Sequence, residues 1–274
     1  MMNAVVTEGS APHFPIGGGE TGALMRAKDW SVSPLGAPGT WPQPLRSVVG
    51  LLLSSNFPMF VAWGPELGFL YNDPYLEILG AKYPAAIGGR FRTVWSEVWP
   101  DIASFVTAAM AGQTVYREDL PLVLNRYGND EACCFTFSYS PVRDERGLVG
   151  GILCIVSETT GKVLAERRNA FLVGLEERLR SLTAPRDVTA AAAEFLGSHL
   201  GVARAGYGDI DAQQEVVSVE RDWTRDTAVV SLAGEVRVLD GFGPAIIGEL
   251  KAGRTLLVED CYMDPRVSAA HAAT

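Results

Sequence analysis

The sequence predicts an α+β fold built on a five-stranded antiparallel sheet, followed by a connecting helix and a second, incomplete α+β unit. Three observations carry that prediction. Two short apolar runs, FPMFVAW (57–63) and LGFLY, are joined by the turn GPEL at 64–67 and read as a hairpin. Helical spacing takes over after them. Three further strand-like runs then follow, so the order is β-β, helices, β-β-β and not alternating βαβ units.

Each element has its own justification. Residues 1–20 are rich in Gly, Pro and Ser and are expected to be a disordered tail. In LRSVVGLLLSS, Leu45, Val48, Val49, Leu52 and Leu53 recur at helical spacing before the hairpin. FLYNDPYLEILG (69–80) ends the second strand at Tyr71. It then places Asn72 in a tight turn, Asp73 as a helix N-cap, Pro74 at the first helical position and Gly80 as a left-handed stop. A short helix is expected over Lys82–Ile87, and a longer one over Val94–Met110 holding Trp95, Trp99, Ile102, Phe105, Val106 and Met110.

The last three strands are the clearest. TVYREDLPLVLNR puts Leu120, Leu122 and Leu124 on one face. In CCFTFSYSPV, Phe135, Phe137 and Tyr139 alternate with Thr136, Ser138 and Ser140. LVGGILCIVS is apolar on both faces. Composition then changes to a charged helix over Lys162–Leu182, with an apolar stripe of Leu164, Phe171, Leu175, Leu179 and Leu182. Such a helix packs on its own domain or pairs with another chain. Beyond Pro185 come a helix (RDVTAAAAEFLGSHL), strands in VARAGYGDI and EVVSVERDW with a turn at DAQQ, a helix in GPAIIGELKAG and a strand in RTLLVEDC. The expected organisation is a tail over 1–20, a first domain with a helical extension over 21–160, a linker helix over 161–185, and a partial domain over 186–274. Three strands with no closing partner would leave an open sheet edge, so a longer parent protein is expected.

Composition narrows the function. The 274 residues are 47% hydrophobic and 20% charged with a net charge of −9, a globular balance that disfavours a nucleic-acid surface. No basic start with an apolar core suggests a signal peptide, and no aliphatic run approaches a membrane span, so a cytoplasmic protein without membrane insertion is expected. Cys133, Cys134, Cys154 and Cys261 lack CxxC spacing and read as reduced thiols. Gly17, Gly19 and Gly22 spell GxGxxG, but no strand precedes them, so they read as tail. The histidines are His13, His199 and His271, and His199 suits a helix C-terminus. No carboxylate pair sits in an apolar setting, and no nucleophile, phosphate-loop or metal motif occurs. The row Phe135, Phe137 and Tyr139 reads either as core or as the wall of a small-molecule cavity.

Residues 47–160 resemble a PAS domain, through FPMFVAW, LGFLYN, the YNDPY junction and FTFSYSPVRDERGLVGGILCIVSETT. The stretch GGGETGALMRAKDWSVSPLGAPGTWPQPLR is similar to the N-terminal extension of PAS-containing bacterial sensor histidine kinases. GVARAGYGDID, VERDW and FGPAIIGELKAGRTLLVEDCYMDPR resemble the first half of a GAF domain. The resemblance implies a cytoplasmic sensory input region of a two-component kinase, non-catalytic in itself, that dimerises through the PAS domain and linker helix. It implies a small organic ligand at Tyr71, Trp95, Phe135, Phe137 and Tyr139. It also implies signalling residues Glu158 and Thr160, where Glu158-Thr159-Thr160 replaces the family's Asp-x-Thr corner. The family's flavin-binding cysteine is missing from GGRFRTVW, and no histidine lies between His13 and His199 to ligate haem. Bilin binding in GAF domains uses mostly residues outside this half. The competing readings are a PAS dimerisation unit that senses nothing and the input region of a phosphatase or cyclic-dinucleotide enzyme.

Overall fold

The computed structural model describes residues 14–211, 213, 215–260 and 262–267. It forms two compact units, Met1–Ala165 and Glu166–Thr274. His13, Cys261 and His271 lie outside the described residues.

The first unit begins earlier than the expected tail allows. Phe14 packs edge-on against Trp41 at 5.9 Å, and the Arg26 guanidinium donates to the Pro15 and Gly17 carbonyls. Helix α1 spans Gly19–Ala27 and α2 spans Gln43–Ser54, with Trp30 and Trp41 crossing edge to face between them at 5.1 Å. The GxGxxG run is therefore part of the fold. Gly18 and Gly19 both take positive φ, and a Cβ on Gly19 would lie 1.9 Å from the Asp73 carboxylate. Only glycine lets the start of α1 approach an anion this closely.

Strand β1 (Met59–Trp63) pairs with β2 (Gly68–Tyr71), followed by a 3₁₀ turn at Asp73–Tyr75 and α3 (Leu76–Leu79). Asp73 does not cap its own helix. Its carboxylate accepts the backbone N–H groups of Glu20 (3.0 Å) and Thr21 (2.7 Å), so it caps α1 instead. Asn72 does more than tolerate a turn. It is buried, its Oδ1 accepts the Met59 N–H, and its Nδ2 donates to the Leu52, Ser55 and Phe57 carbonyls. One side chain thus satisfies the backbone between α2 and β1, which would otherwise be stranded in the core.

Two expected helices differ. Residues 83–87 form turns, and the run over 94–110 splits into α4 (Phe91–Val94) and α5 (Trp99–Met110). Pro100 supplies the reason: its ring would strike the carbonyl four residues back, so a helix can start near it but not run through it. Strands β3 (Val115–Asn125), β4 (Asp130–Arg143) and β5 (Val149–Glu158) complete an antiparallel sheet of order β2-β1-β5-β4-β3. Phe60 pairs with Tyr71 and with Cys154, and Cys154 pairs with Tyr139, which sets one row of side chains on the helical face of the sheet. β1 and β2 are buried throughout because α2 also packs on them.

Helix α6 runs over Thr160–Leu179 and crosses the boundary between the units. In the second unit Phe171 packs against Phe195 (5.2 Å) and His199 (4.4 Å) of α7 (Pro185–Leu200). The stripe residues Phe171, Leu175, Leu179 and Leu182 are half-buried there, while Leu164 is exposed. The rest holds β6 (Arg204–Gly206), β7 (Asp209–Asp211), β8 (Val216–Ser218), β9 (Asp222–Thr224), β10 (Val236–Val238) and α8 (Pro244–Lys251). They form a three-stranded sheet β10-β8-β7 and a ribbon β6-β9. Each long strand expected before α8 is thus two short ones, and Gly206 and Gly208 lie at the break between β6 and β7. A Cβ on Gly208 would meet Val217 at 2.7 Å. Residues 254–258 are not a strand, since no described segment pairs with them, and Leu257 is exposed.

Candidate functional site

A cavity of about 50 Å³ lies on the helical face of the sheet. Phe60, Tyr75, Ile78, Phe91, Trp95, Val98 and Ile102 line it from β1 and the helical region. Leu122, Leu124, Phe135, Phe137, Tyr139, Cys154 and Val156 line it from the last three strands. Strand alternation explains the latter group: alternate residues of β4 share one face and meet alternate residues of β3 and β5. Phe137 and Tyr139 lie 4.7 Å apart, Phe60 and Phe91 4.8 Å, so the wall is a continuous aromatic surface.

Four of the five residues expected to bind a ligand, Trp95, Phe135, Phe137 and Tyr139, line this cavity. Tyr71 does not. Its ring packs on Phe69 at 5.5 Å, and Tyr75 takes the lining position beside it at 6.1 Å. The Tyr71 hydroxyl is buried without a partner, and burial, with Tyr83 nearby, pushes its pKa well up. Periodicity alone misses Phe60, Phe91 and Ile102, which reach the cavity only through tertiary packing.

The lining is neutral. Burial pushes the Tyr75 and Tyr139 hydroxyls and the Cys154 thiol up from their ordinary values, so none ionises near neutrality. The Trp95 indole N–H is buried beside the Tyr75 hydroxyl, and that contact works against the upward push of burial on Tyr75. At about 50 Å³ the cavity is small beside sites for drug-sized molecules, which run to several hundred Å³. Its lining includes no histidine, and its one thiol is Cys154 on β5.

A second set of polar groups holds the exit from β5 into α6. The Thr160 hydroxyl donates to Glu158 Oε1 at 2.9 Å and accepts the Cys134 N–H at 2.9 Å. The Thr159 N–H donates to the Cys134 carbonyl at 2.7 Å. Arg126, which sequence reasoning passes over, binds Glu158 through Nη1 (2.8 Å) and Glu131 through Nη2 (2.8 Å). It also donates to the Glu77 carbonyl (3.4 Å) and to Cys133 Sγ (3.1 Å). Burial works against its charge, but the hydrogen bonds and attraction of Glu158, with Glu131, more than offset this and raise its pKa. Glu158 and Thr160 are therefore brought together, and Arg126 ties both to α3.

Lys162, in the first turn of α6, completes the arrangement. Its Nζ lies 3.2 Å from Asp119 Oδ2 and 3.6 Å from Glu118. Asp119 takes positive φ where β3 slips register against β4 between Arg117 and Leu120, and the Thr136 hydroxyl both accepts its N–H and donates to its carboxylate. The bulge re-aims this carboxylate toward the helix.

Among the described residues no cluster of three or more His, Cys, Asp or Glu side chains could hold a metal ion, and no helix is long and apolar enough to cross a membrane. Comparison with known proteins follows from the fold. None of the curated proteins compared with the chain matches it. Among solved structures it is similar to an RNA-binding Light-Oxygen-Voltage receptor, at 18% identity and a TM-score of 0.37 over 53% of this chain and 41% of that one. The LOV protein of Rhodobacter sphaeroides gives 19% and 0.37, over 58% and 89%. The chromophore-binding domain of a Stigmatella aurantiaca bacteriophytochrome gives 16% and 0.28, over 68% and 58%. These likenesses are too slight to transfer a chromophore or an activity. The sequence family described as the PAS fold matches residues 54–164, the segment that carries the sheet, the cavity and the start of α6. Over that segment, less than half of the chain, the protein is similar to the PAS fold.

Proposed function

We propose that this chain is the input region of a bacterial signal-transduction protein, in which events at the cavity are relayed to α6 through Arg126, Glu158 and Thr160. The observation that supports it most is the interlock itself. Arg126 touches the carbonyl of Glu77 beside the cavity-lining Ile78, and the same guanidinium holds Glu158, which holds Thr160 at the helix start. A shift in α3 changes the grip on α6 without breaking the sheet. A ligand shifts such an equilibrium only by its differential affinity for the two arrangements.

In this reading the protein forms a homodimer through the PAS unit and α6, residues 186–274 are the first part of a GAF domain, and the parent protein is a histidine kinase. Spin labels at exposed positions 164 and 172 test the relay. Glu158→Gln should change the distance between copies of α6 or broaden its distribution. An unchanged distribution in a folded, dimeric variant would sink the relay.

A second reading is favoured by one observation, the small cavity. A PAS core this nearly filled suits a constitutive dimerisation unit that binds nothing. A dimer whose α6 geometry is indifferent both to Glu158→Gln and to every small molecule tested would support it.

A further inference from the structure

We propose that α1 and α6 are coupled through one short rigid stretch, residues 73–80, so that freeing either helix loosens the other. The coupling adds a second input, the docking of α1, to the proposed relay and rests on that relay for its output at α6.

Helix α1 depends on a residue outside itself. It has nine residues, too few to be stable alone, and Gly18 before it offers no capping side chain. The cap comes from Asp73, whose carboxylate accepts the Glu20 and Thr21 N–H groups at 3.0 and 2.7 Å. The Thr21 hydroxyl is buried beside the same carboxylate. Gly19 lies too close to it for a Cβ, so the fit leaves little slack. Where Asp73 sits therefore decides whether α1 stays docked.

Asp73 begins a stretch that moves as one body. The Tyr75 N–H bonds the Asn72 carbonyl, the Leu76 N–H that of Asp73, and the Gly80 N–H that of Leu76. These bonds carry the 3₁₀ turn into α3 without a break, over about 10 Å at helical rise. The far end is bound to Arg126 twice. The guanidinium donates to the Glu77 carbonyl at 3.4 Å, and the Arg126 carbonyl accepts the Ala81 N–H at 2.9 Å. Gly80 takes positive φ there, and a Cβ on it would lie 2.9 Å from that carbonyl oxygen. The same guanidinium holds Glu158, which holds Thr160 at the start of α6. Asn72 is pinned by its backbone bonds at the near end. A tilt of the stretch about Asn72 thus moves the cap of α1 and the Arg126 contact together.

Amide hydrogen exchange on the full chain reads both ends. The Gly22 N–H, bonded to the Gly18 carbonyl, reports α1, and the Val163 N–H, bonded to the Thr159 carbonyl, reports the start of α6. Asp73→Ala removes the cap from one side. Gly19→Ala pries it open from the other and leaves residues 73–80 as they are. Each should speed exchange at Gly22 and also at Val163, the latter by about fivefold or more. Arg126→Met should in return speed exchange at Gly22 by a similar factor, because coupling between two equilibria is reciprocal. The β5 amides should keep their protection in all three variants. A silent Val163 when Gly22 is freed, a response in one direction only, or loss of β5 protection in step with Val163 would each overturn the coupling. Should Asp73→Ala fail to fold, Gly19→Ala and Arg126→Met still decide it. The relay fails separately: reciprocal coupling beside an α6 that ignores Glu158→Gln would uphold the coupling and count against the relay through Glu158.

Discussion

Asn72 and Arg126 are both polar hubs built into the first unit, and they differ in what they bind and in how much water reaches them. Asn72 is neutral, 1% exposed, and binds only backbone: the Met59 N–H and the carbonyls of Leu52, Ser55 and Phe57. Arg126 is charged, sits at the rim with its side chain 11% exposed, and binds mainly side chains that water can also reach. Backbone groups in a core have no alternative partner, so Asn72 has one arrangement. Carboxylates near the surface can exchange an arginine for water at small cost, so Arg126 can have two.

The largest effect should come from breaking the neutral hub. Asn72→Leu leaves one N–H and up to three carbonyls without their side-chain partner, each costing about 1–3 kcal/mol. We expect a loss on the order of 3–5 kcal/mol and a fall in melting temperature of about 10 °C or more. Chemical denaturation that places the loss below 1 kcal/mol would show that the junction rearranges and that Asn72 is no pin.

Arg126→Met should cost less, about 1–2 kcal/mol, because Glu131 and Glu158 are partly exposed and can hydrate. Its signature is local. Amide exchange in the first turn of α6, where the Val163 N–H bonds the Thr159 carbonyl, should speed up about tenfold, while β1 and β2 stay protected. Uniform loss of protection across the unit would make Arg126 a second fold hub and erase the contrast.

The sheet was legible in the sequence, and these hubs were not, for a physical reason. Alternation in FTFSYS reports which side of a strand is dry, and that suffices to place Phe135, Phe137 and Tyr139 on the cavity wall. Helical spacing around Trp95 misleads, because Pro100 stops the helix that the apolar pattern suggests. Arg126 meets residues 131 and 158 because β3, β4 and β5 lie side by side, and residue 77 because α3 packs beside the end of β3. Nothing local in NRYG carries that information. Glu158 and Thr160 were legible through the resemblance at the strand exit, but their partner was not. Asn72 reads as a turn residue from its neighbours, and its bonds to α2 and β1 appear only in three dimensions.

Asp73, beside Asn72, tests the ionic half of the contrast by pH. Burial pushes its carboxyl up, but hydrogen bonds from Thr21 and Glu20 outweigh this and hold it below its ordinary value of 3.8. A carboxylate lowered in the folded state contributes stability that is present above the unfolded pKa and lost as pH falls through the folded one. The attachment of α1 should therefore weaken below about pH 4, by about 1 kcal/mol, as for loss of an N-cap. Trp30 and Trp41 fluorescence follows it, since both rings belong to the extension. Asp73→Ala should show the weakened state at neutral pH and lose the acid transition. An acid transition of equal size in that variant would assign it to another carboxylate.

The smallest effect belongs to Lys162. Its pairs with Asp119 and Glu118 are half-exposed, and such pairs contribute about 0.2–1 kcal/mol and are screened by salt. Lys162→Met should hardly change the melting temperature. Its value lies in the second tether it removes from the first turn of α6. If the two tethers hold one rigid exit, losing both should cost no more than the sum of the single losses. If the exit has two arrangements, Arg126→Met and Lys162→Met should be coupled. The double variant would then speed exchange at Val163 by more than the product of the single effects, and added salt should reproduce part of the Lys162→Met change in the wild type. Simple additivity, with no response to salt, would show that the two tethers act independently on one rigid exit.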